Sequence, residues 1–229
     1  VYGFHESASM LPTYASTLGC QVGQVPFKYL GAMIGASPRL LNFWNPLVTK
    51  VQRKIDNYDA TGLSVAGRVV LLRAAVDSIP VYWFSLYKMP VCVIDLIDRM
   101  RRRFLWGYSA NSPKKLHLLS WNKVCQTKEE GGLGLVSLKS RNNVFLAKWW
   151  WRAYCDRGCF WNNLMVNRYG HEWNFNLQGL NVKICSPIVK SILAVSQLPS
   201  MLPMLERSMF KWKVNSGSKV YFWEDVWLC

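Results

Sequence analysis

The sequence predicts a mostly α-helical (α+β) fold: a β-hairpin near the N-terminus, a run of amphipathic helices, and a second hairpin at the C-terminal end. Three observations carry this. Apolar residues recur three and four apart through the middle of the chain. Strand-like stretches are confined almost entirely to its ends. Gly, Pro, Asn and Ser cluster where one helical pattern gives way to the next. With 51% of the 229 residues apolar, the chain can bury a sizeable core.

Val1 to about Leu40 is written in short apolar runs broken by Gly and Pro, and Val25 to Gly35 reads as two short strands and a turn. A first helix is expected from about Pro46 to Tyr58, with Asn45 as N-cap and Pro46 at the first helical position. Leu47, Val51, Ile55 and Tyr58 make its inner stripe. Lys50, Arg53, Lys54 and Asn57 share a neighbouring face, so three cations line one ridge. Ser64 caps a second helix, in which Val65, Val69, Leu72, Val76 and Ile79 keep helical register. Its other side (Val70, Leu71, Ala74) is apolar too, so burial nearly all round is expected, with Arg68 and Arg73 as flanking cations. Pro80 ends or kinks it, and Tyr82 to Tyr87 continues in aromatic residues.

A third helix opens at Pro90 and runs to about Trp106 on a seam of Val93, Ile97, Met100 and Phe104. Asp95 with Arg99 and Asp98 with Arg102 are acid-before-base pairs four apart, the favoured helical order. Arg101 and Arg103 fall on opposite flanks of that seam, which makes them candidates for phosphate contact, while Arg102 points outward. Gly107 to Lys115 reads as a linker, and Lys115 to Trp121 as a short strand. Ser120 caps a brief helix through Cys125, and Gly131-Gly132-Leu133-Gly134 makes a tight turn. A long helix from about Leu138 to Tyr154 carries Val144, Ala147, Trp151 and Tyr154 on one side and Arg141, Lys148 and Arg152 on another. Phe160 to Tyr169 is a further helix that Gly170 stops. From His171 to Pro187 the signal is low. Phe210 to Val214 and Val220 to Trp223 then pair as a hairpin across Asn215-Ser216-Gly217-Ser218.

Lys and Arg number 28 against 13 Asp and Glu, a formal net charge of +15. A chain so basic commonly meets a polyanion, either nucleic acid or an anionic membrane face. No stretch reads as a membrane span: Ser191 to Leu205 is uncharged, but Pro199 and Pro203 break it. No basic, apolar leader opens the chain, and the missing initiator Met fits a piece of something longer. Seven irregularly spaced cysteines point to a reducing, intracellular setting, with free thiols acting as small buried hydrophobes. Cys155, Cys159 and His171 lack the second ligand pair that structural zinc needs.

Polymerisation by two metal ions needs converging carboxylates, and the chain has no Asp-Asp pair. Glu129-Glu130 and Glu224-Asp225 have no identifiable third partner. His5, His117 and His171 stand apart from any nucleophile motif, and no phosphate-binding loop occurs. The expectation is no catalytic residue, metal or cofactor in this chain itself.

Several blocks together resemble the region downstream of the polymerase centre in plant LINE-like (non-LTR retrotransposon) reverse transcriptases. They are Phe27-Lys28-Tyr29-Leu30-Gly31 with Gly35; Gly67-Arg68-Val69 with Ser78-Ile79-Pro80; Arg103-Phe104-Leu105-Trp106-Gly107; and Trp121-Asn122-Lys123-Val124-Cys125 followed by Gly131 to Leu135. Lys148-Trp149-Trp150-Trp151-Arg152 and Phe222-Trp223-Glu224-Asp225 continue the series. The resemblance implies that residues 1–40 end a polymerase palm with a primer-grip hairpin at Lys28, Tyr29 and Gly31, where glycine lets backbone approach a primer end. It implies a helical, thumb-like domain over 41–107. A connection segment over 108–229 would end where a zinc module begins. Lys50, Arg53, Lys54, Arg68, Arg73, Arg101, Arg103, Lys148 and Arg152 complete the candidate nucleic-acid contacts. The implied partners are an RNA–DNA hybrid or duplex held with little sequence preference, and the palm and fingers upstream. Mg2+ would serve the parent polymerase. The alternative is a domesticated RNA- or DNA-binding or protein-interaction module without a polymerase role.

Overall fold

The computed structural model describes residues 2, 9–29, 31–107, 119–155, 158–170 and 184–199. Most of the linker before Lys115, most of the strand expected from it, and the C-terminal hairpin lie outside the described residues. What is described is mostly helical, with one two-stranded antiparallel hairpin near the N-terminus. Contacts divide the chain into two compact units, 1–46 and 47–229.

The first unit contains helix α1 (Leu11–Leu18), where only short apolar runs were read and no helix was expected. Its apolar signal is thin, only Leu11 and Ala15 being buried. The polar residues that obscure it are satisfied inside the helix: the Ser16 and Thr17 hydroxyls donate to the Thr13 carbonyl at 2.8 and 2.9 Å. Strands β1 (Phe27–Tyr29) and β2 (Ala32–Ile34) form the expected hairpin, with Phe27 opposite Ile34, Lys28 opposite Met33 and Tyr29 opposite Ala32. Gly31 closes the bend at φ +89°, a left-handed value that a side chain would strain.

Helix α2 (Leu41–Asp56) begins five residues before the expected first helical position, so Pro46 sits inside it. Ser37 and Leu40 carbonyls take the Leu40 and Phe43 amides at 3.1 and 3.2 Å, and the Trp44 indole donates to the Pro38 carbonyl at 2.9 Å. These local bonds start the helix upstream, and Pro46, still in its second turn, forfeits one backbone bond.

In the second unit Leu47, Val51 and Ile55 of α2 are buried as their spacing predicts. Ser64 caps α3 (Val65–Leu71), its hydroxyl accepting from the Gly67 amide at 3.2 Å. The helix then widens into a π-helical turn (Leu72–Val76) that keeps Leu72 and Val76 fully inside. Burial all round is not found: Val70 is 61% exposed and Ala74 faces solvent. One stripe suffices here because α3 packs chiefly on one neighbour, α5 (Val91–Leu105). Between them runs α4 (Val81–Leu86), with Trp83 and Phe84 buried.

After α6 (Trp121–Val124), capped by Ser120, the glycine turn folds back on it. Gly132 donates to the Thr127 carbonyl and Gly134 to that of Gln126, at 2.8 and 2.9 Å. A Cβ on Gly132 would stand 2.2 Å from the Gln126 carbonyl oxygen, so only glycine fits. Helix α7 (Leu138–Cys155) is the hub: α4, α5 and a C-terminal helix, α9 (Pro187–Ser196), all pack on it. Its buried side is Leu138, Asn142, Leu146 and Ala153, whereas Val144 is 54% exposed. Trp149, Trp150, and Trp161 and Met165 of α8 (Phe160–Tyr169) cover a cluster centred on Leu146, Val189 and Ile192. The aromatic-rich stretch is therefore largely core, in keeping with about 1.5–3 kcal/mol gained per large side chain buried.

Candidate nucleic-acid interface

The candidate cations separate into three groups once placed. The first is the ridge on α2. Lys50 and Arg53 are exposed, and neither side chain hydrogen-bonds nor ion-pairs with another described residue. Lys54 is half-buried, its ammonium 5.5 Å above the Tyr58 ring. With Asn57, these three cations form one wall of an open groove of about 510 Å³. The opposite wall, from the π-helical turn and the turn after it, is Ala74, Ala75, Ser78 and Ile79. Three of its four side chains, Ala74, Ala75 and Ser78, are small, which leaves room for a sugar-phosphate chain against the ridge. The ridge was legible from i, i+3, i+4 spacing. The small-residue wall was not, because its exposure follows from the break after Leu71.

The second group is structural. Arg101 is wholly buried. Its guanidinium meets Asp77 through Nε at 3.0 Å and Nη2 at 3.0 Å, Asp98 through Nη1 at 2.7 Å, and the Val136 carbonyl at 3.1 Å. It also lies 5.2 Å from the Trp121 ring centre. The expectation that Arg101 contacts phosphate is thereby overturned: its guanidinium is held inside the fold by Asp77, Asp98 and the Val136 carbonyl, and no surface reaches it. The buried face of α5 is wider than the expected seam: Val93, Ile97 and Phe104 are buried as expected, and Ile94, Arg101 and Leu105 are buried beside them. Burial pushes the Asp77 carboxyl above its ordinary range, while Arg101 and Arg141 pull it back. Arg68 is committed too. Its Nε donates to the Leu63 carbonyl at 3.1 Å and its Nη1 to that of Leu105 at 2.7 Å, closing the end of α5. A helix C-terminus has unsatisfied carbonyls, and a guanidinium is a suitable cap.

The third group stays at the surface and, within the second unit, does not line the ridge's groove. Arg73 is exposed beside Gly134 of the glycine turn. Arg103 is exposed in a different concavity. Lys148 is exposed on α7, and Arg152 is half-buried with its guanidinium 5.3 Å from the Trp149 ring centre. In the first unit, Lys28 is exposed and Tyr29 is 57% exposed. The space where a Gly31 side chain would stand is open, with no atom of a described residue within 4 Å.

Two further side chains were missed by sequence reasoning. Arg141 donates to the Asp77 carbonyl at 2.9 Å, and Asn142 ties the α4–α5 junction to α7. Neither has a local signal, since both partners lie more than fifty residues away. Among the described residues no group of three or more His, Cys, Asp or Glu is placed to hold a metal ion. No described helix is long and apolar enough to cross a membrane.

Comparison with known proteins finds relatives in Arabidopsis thaliana. A protein named "Putative ribonuclease H protein" is 34% identical over 123 residues, which is 54% of this chain and 20% of that protein. An "Uncharacterized mitochondrial protein" is 23% identical over 152 residues, 66% of this chain and 93% of the relative. The chain thus spans about a fifth of the first relative and nearly all of the second. No protein-family model matches it.

Proposed function

We propose that this chain is the nucleic-acid-holding part of a retroelement-derived RNA-directed DNA polymerase, gripping primer-template duplex downstream of a catalytic palm that it does not contain. The observation that carries the proposal is the ridge of Lys50, Arg53 and Lys54 along an open groove whose facing wall is mostly small residues. Cations without acidic partners are what a phosphate backbone requires, and contacts of that kind confer affinity without sequence preference. The net charge of +15 and the likeness to a protein named for ribonuclease H support the same reading. In the parent polymerase the Lys28–Gly31 hairpin approaches the primer end, the palm and fingers are the upstream partner, and Mg2+ serves the palm. This chain alone incorporates no nucleotide.

Binding of the purified chain to a fluorescent RNA–DNA hybrid, followed by anisotropy across salt concentrations, tests the proposal. Affinity should fall by roughly tenfold or more between low and physiological salt. Flat salt dependence, or no binding at low salt, overturns it.

One observation favours a second reading, a stand-alone nucleic-acid or protein-binding module. The matched region makes up 93% of the mitochondrial relative, so a chain can consist of little else. Reading the coding sequence upstream decides between the two, a Tyr-x-Asp-Asp strand marking the polymerase.

A further inference from the structure

Helix α2 separates two concavities. Beyond the ridge's groove, on its other side, lies a deeper pocket of about 770 Å³, within the size range of small-ligand sites. Half-buried Tyr58 gives it an aromatic surface, backed by buried Phe104 with the ring centres 6.2 Å apart. Asp56, Asp59 and Arg103 line it as well. Arg103 neither hydrogen-bonds nor ion-pairs with another described residue, so both charge types face the pocket without neutralising each other directly. Asp59 is held in place by the Thr61 amide and hydroxyl, which donate to its Oδ1 at 2.9 and 2.6 Å. Asp56 accepts from the Gln52 amide nitrogen at 2.6 Å through one oxygen. Each carboxylate therefore keeps acceptor capacity for a ligand.

We infer that this pocket binds an unpaired guanine base. The base would stack on the accessible part of the Tyr58 ring, donate to a carboxylate, and accept from Arg103. Guanine presents two adjacent donors, N1–H and the N2 amino group, and two adjacent acceptors, O6 and N7. A carboxylate takes the first pair and a guanidinium fork the second. Adenine places an acceptor at N1, where a carboxylate repels it. Cytosine and uracil lack the N7 and O6 pair. The pocket also connects to the ridge: Lys54 lines the groove, and its ammonium lies over the Tyr58 ring. A strand whose phosphates follow Lys50, Arg53 and Lys54 could therefore place one base round the end of α2. That strand as the source of the base rests on the function proposed above. The base specificity does not.

Titration of the whole chain with GMP, AMP, CMP and UMP, followed by Trp and Tyr fluorescence or calorimetry, tests the inference. GMP is expected to bind about tenfold or more tightly than the other three. Arg103→Gln, and at least one of Asp56→Asn and Asp59→Asn, should remove that preference with the unfolding midpoint unchanged. All three side chains are exposed, and Asp59→Asn keeps a side-chain oxygen for Thr61. Equal binding of the four nucleotides, no saturable GMP binding, or a preference that survives all three substitutions overturns it. GMP selectivity without hybrid binding would retain the pocket and remove the ridge. Hybrid binding without GMP selectivity would do the reverse. A single guanine in an oligothymidylate that binds more tightly than GMP identifies a strand as the ligand, and equal affinity identifies the free nucleotide.

Discussion

Arg101 of α5 and Asp77 of the turn after the π-helical segment face each other in the interior, joined at 3.0 Å through both guanidinium Nε and Nη2. Both are buried, and the same guanidinium also holds Asp98 and the Val136 carbonyl. One side chain thus fastens three segments that are distant in sequence. Arg101→Gln strands the Asp77 carboxylate, and such a loss typically costs about 3–5 kcal/mol. Urea denaturation should report it, and a variant within about 1 kcal/mol of the parent would mean the pair is replaceable. The pH dependence has a definite sign. The folded Asp77 value stands above its ordinary 3.8, so the native state holds the extra proton and stability declines as pH rises from there towards the folded value. Without Arg101 that window extends higher, and the decline in the variant should be larger.

Asn142 is the second such fastener. Its amide nitrogen donates to the Phe84 and Tyr87 carbonyls, both at 3.0 Å, and its oxygen accepts from the Met89 amide at 2.9 Å. Asn142→Ala removes three hydrogen bonds at a buried junction, for a loss of about 3 kcal/mol at about 1 kcal/mol for each bond. Asn142→Asp keeps the shape but turns a donor into an acceptor against two carbonyls, so it should cost at least as much. A near-neutral result for Asp would mean water replaces the missing donor.

These two side chains mark where sequence reading stops. Periodicity located α5 and most of α7, and cap chemistry located Ser64, Ser120 and Gly170, because those signals are local. The signature of α9 is present as well, with Ser186 accepting from the Val189 amide and Pro187 in the first turn, but it follows directly on a low-signal stretch that masks it. Arg101 and Asn142 break the apolar pattern of the helices they anchor, and their partners appear only after folding. The same holds for the interface. The i, i+3, i+4 spacing put Lys50, Arg53 and Lys54 on one face, whereas sorting Arg101 from Arg103 required knowing which flank of the α5 seam the fold covers.

Cysteine reactivity should follow placement rather than the uniform burial that the sequence suggests. Cys20 and Cys92 are exposed, while Cys185 is buried and Cys125 half-buried, its thiol pushed up to about 11 chiefly by burial. At pH 8 a thiol of that kind is about one part in a thousand thiolate, the reactive form. Limited maleimide labelling of the native chain, read by peptide mass spectrometry, should modify Cys20 and Cys92 well before Cys125 and Cys185. Equal rates would show that the α6 region opens on the labelling timescale.

The ridge makes the sharpest comparison, because charge removal can be matched between exposed and buried arginines. Removing one phosphate-binding cation should reduce the slope of log affinity against log salt by about one. Lys50→Gln and Arg53→Gln should each do so, and should weaken binding uniformly across hybrid sequences, since both are exposed cations on the groove. Lys54→Gln should do less to the slope, its ammonium being partly engaged over Tyr58. Arg101→Gln, measured where the variant is still folded, should leave the slope unchanged, because its guanidinium is spent on Asp77 and Asp98. Equal slope reductions at Lys50, Arg53 and Arg101 would replace the ridge with a diffuse field. An unchanged slope at both Lys50 and Arg53 would move the nucleic acid off α2 altogether.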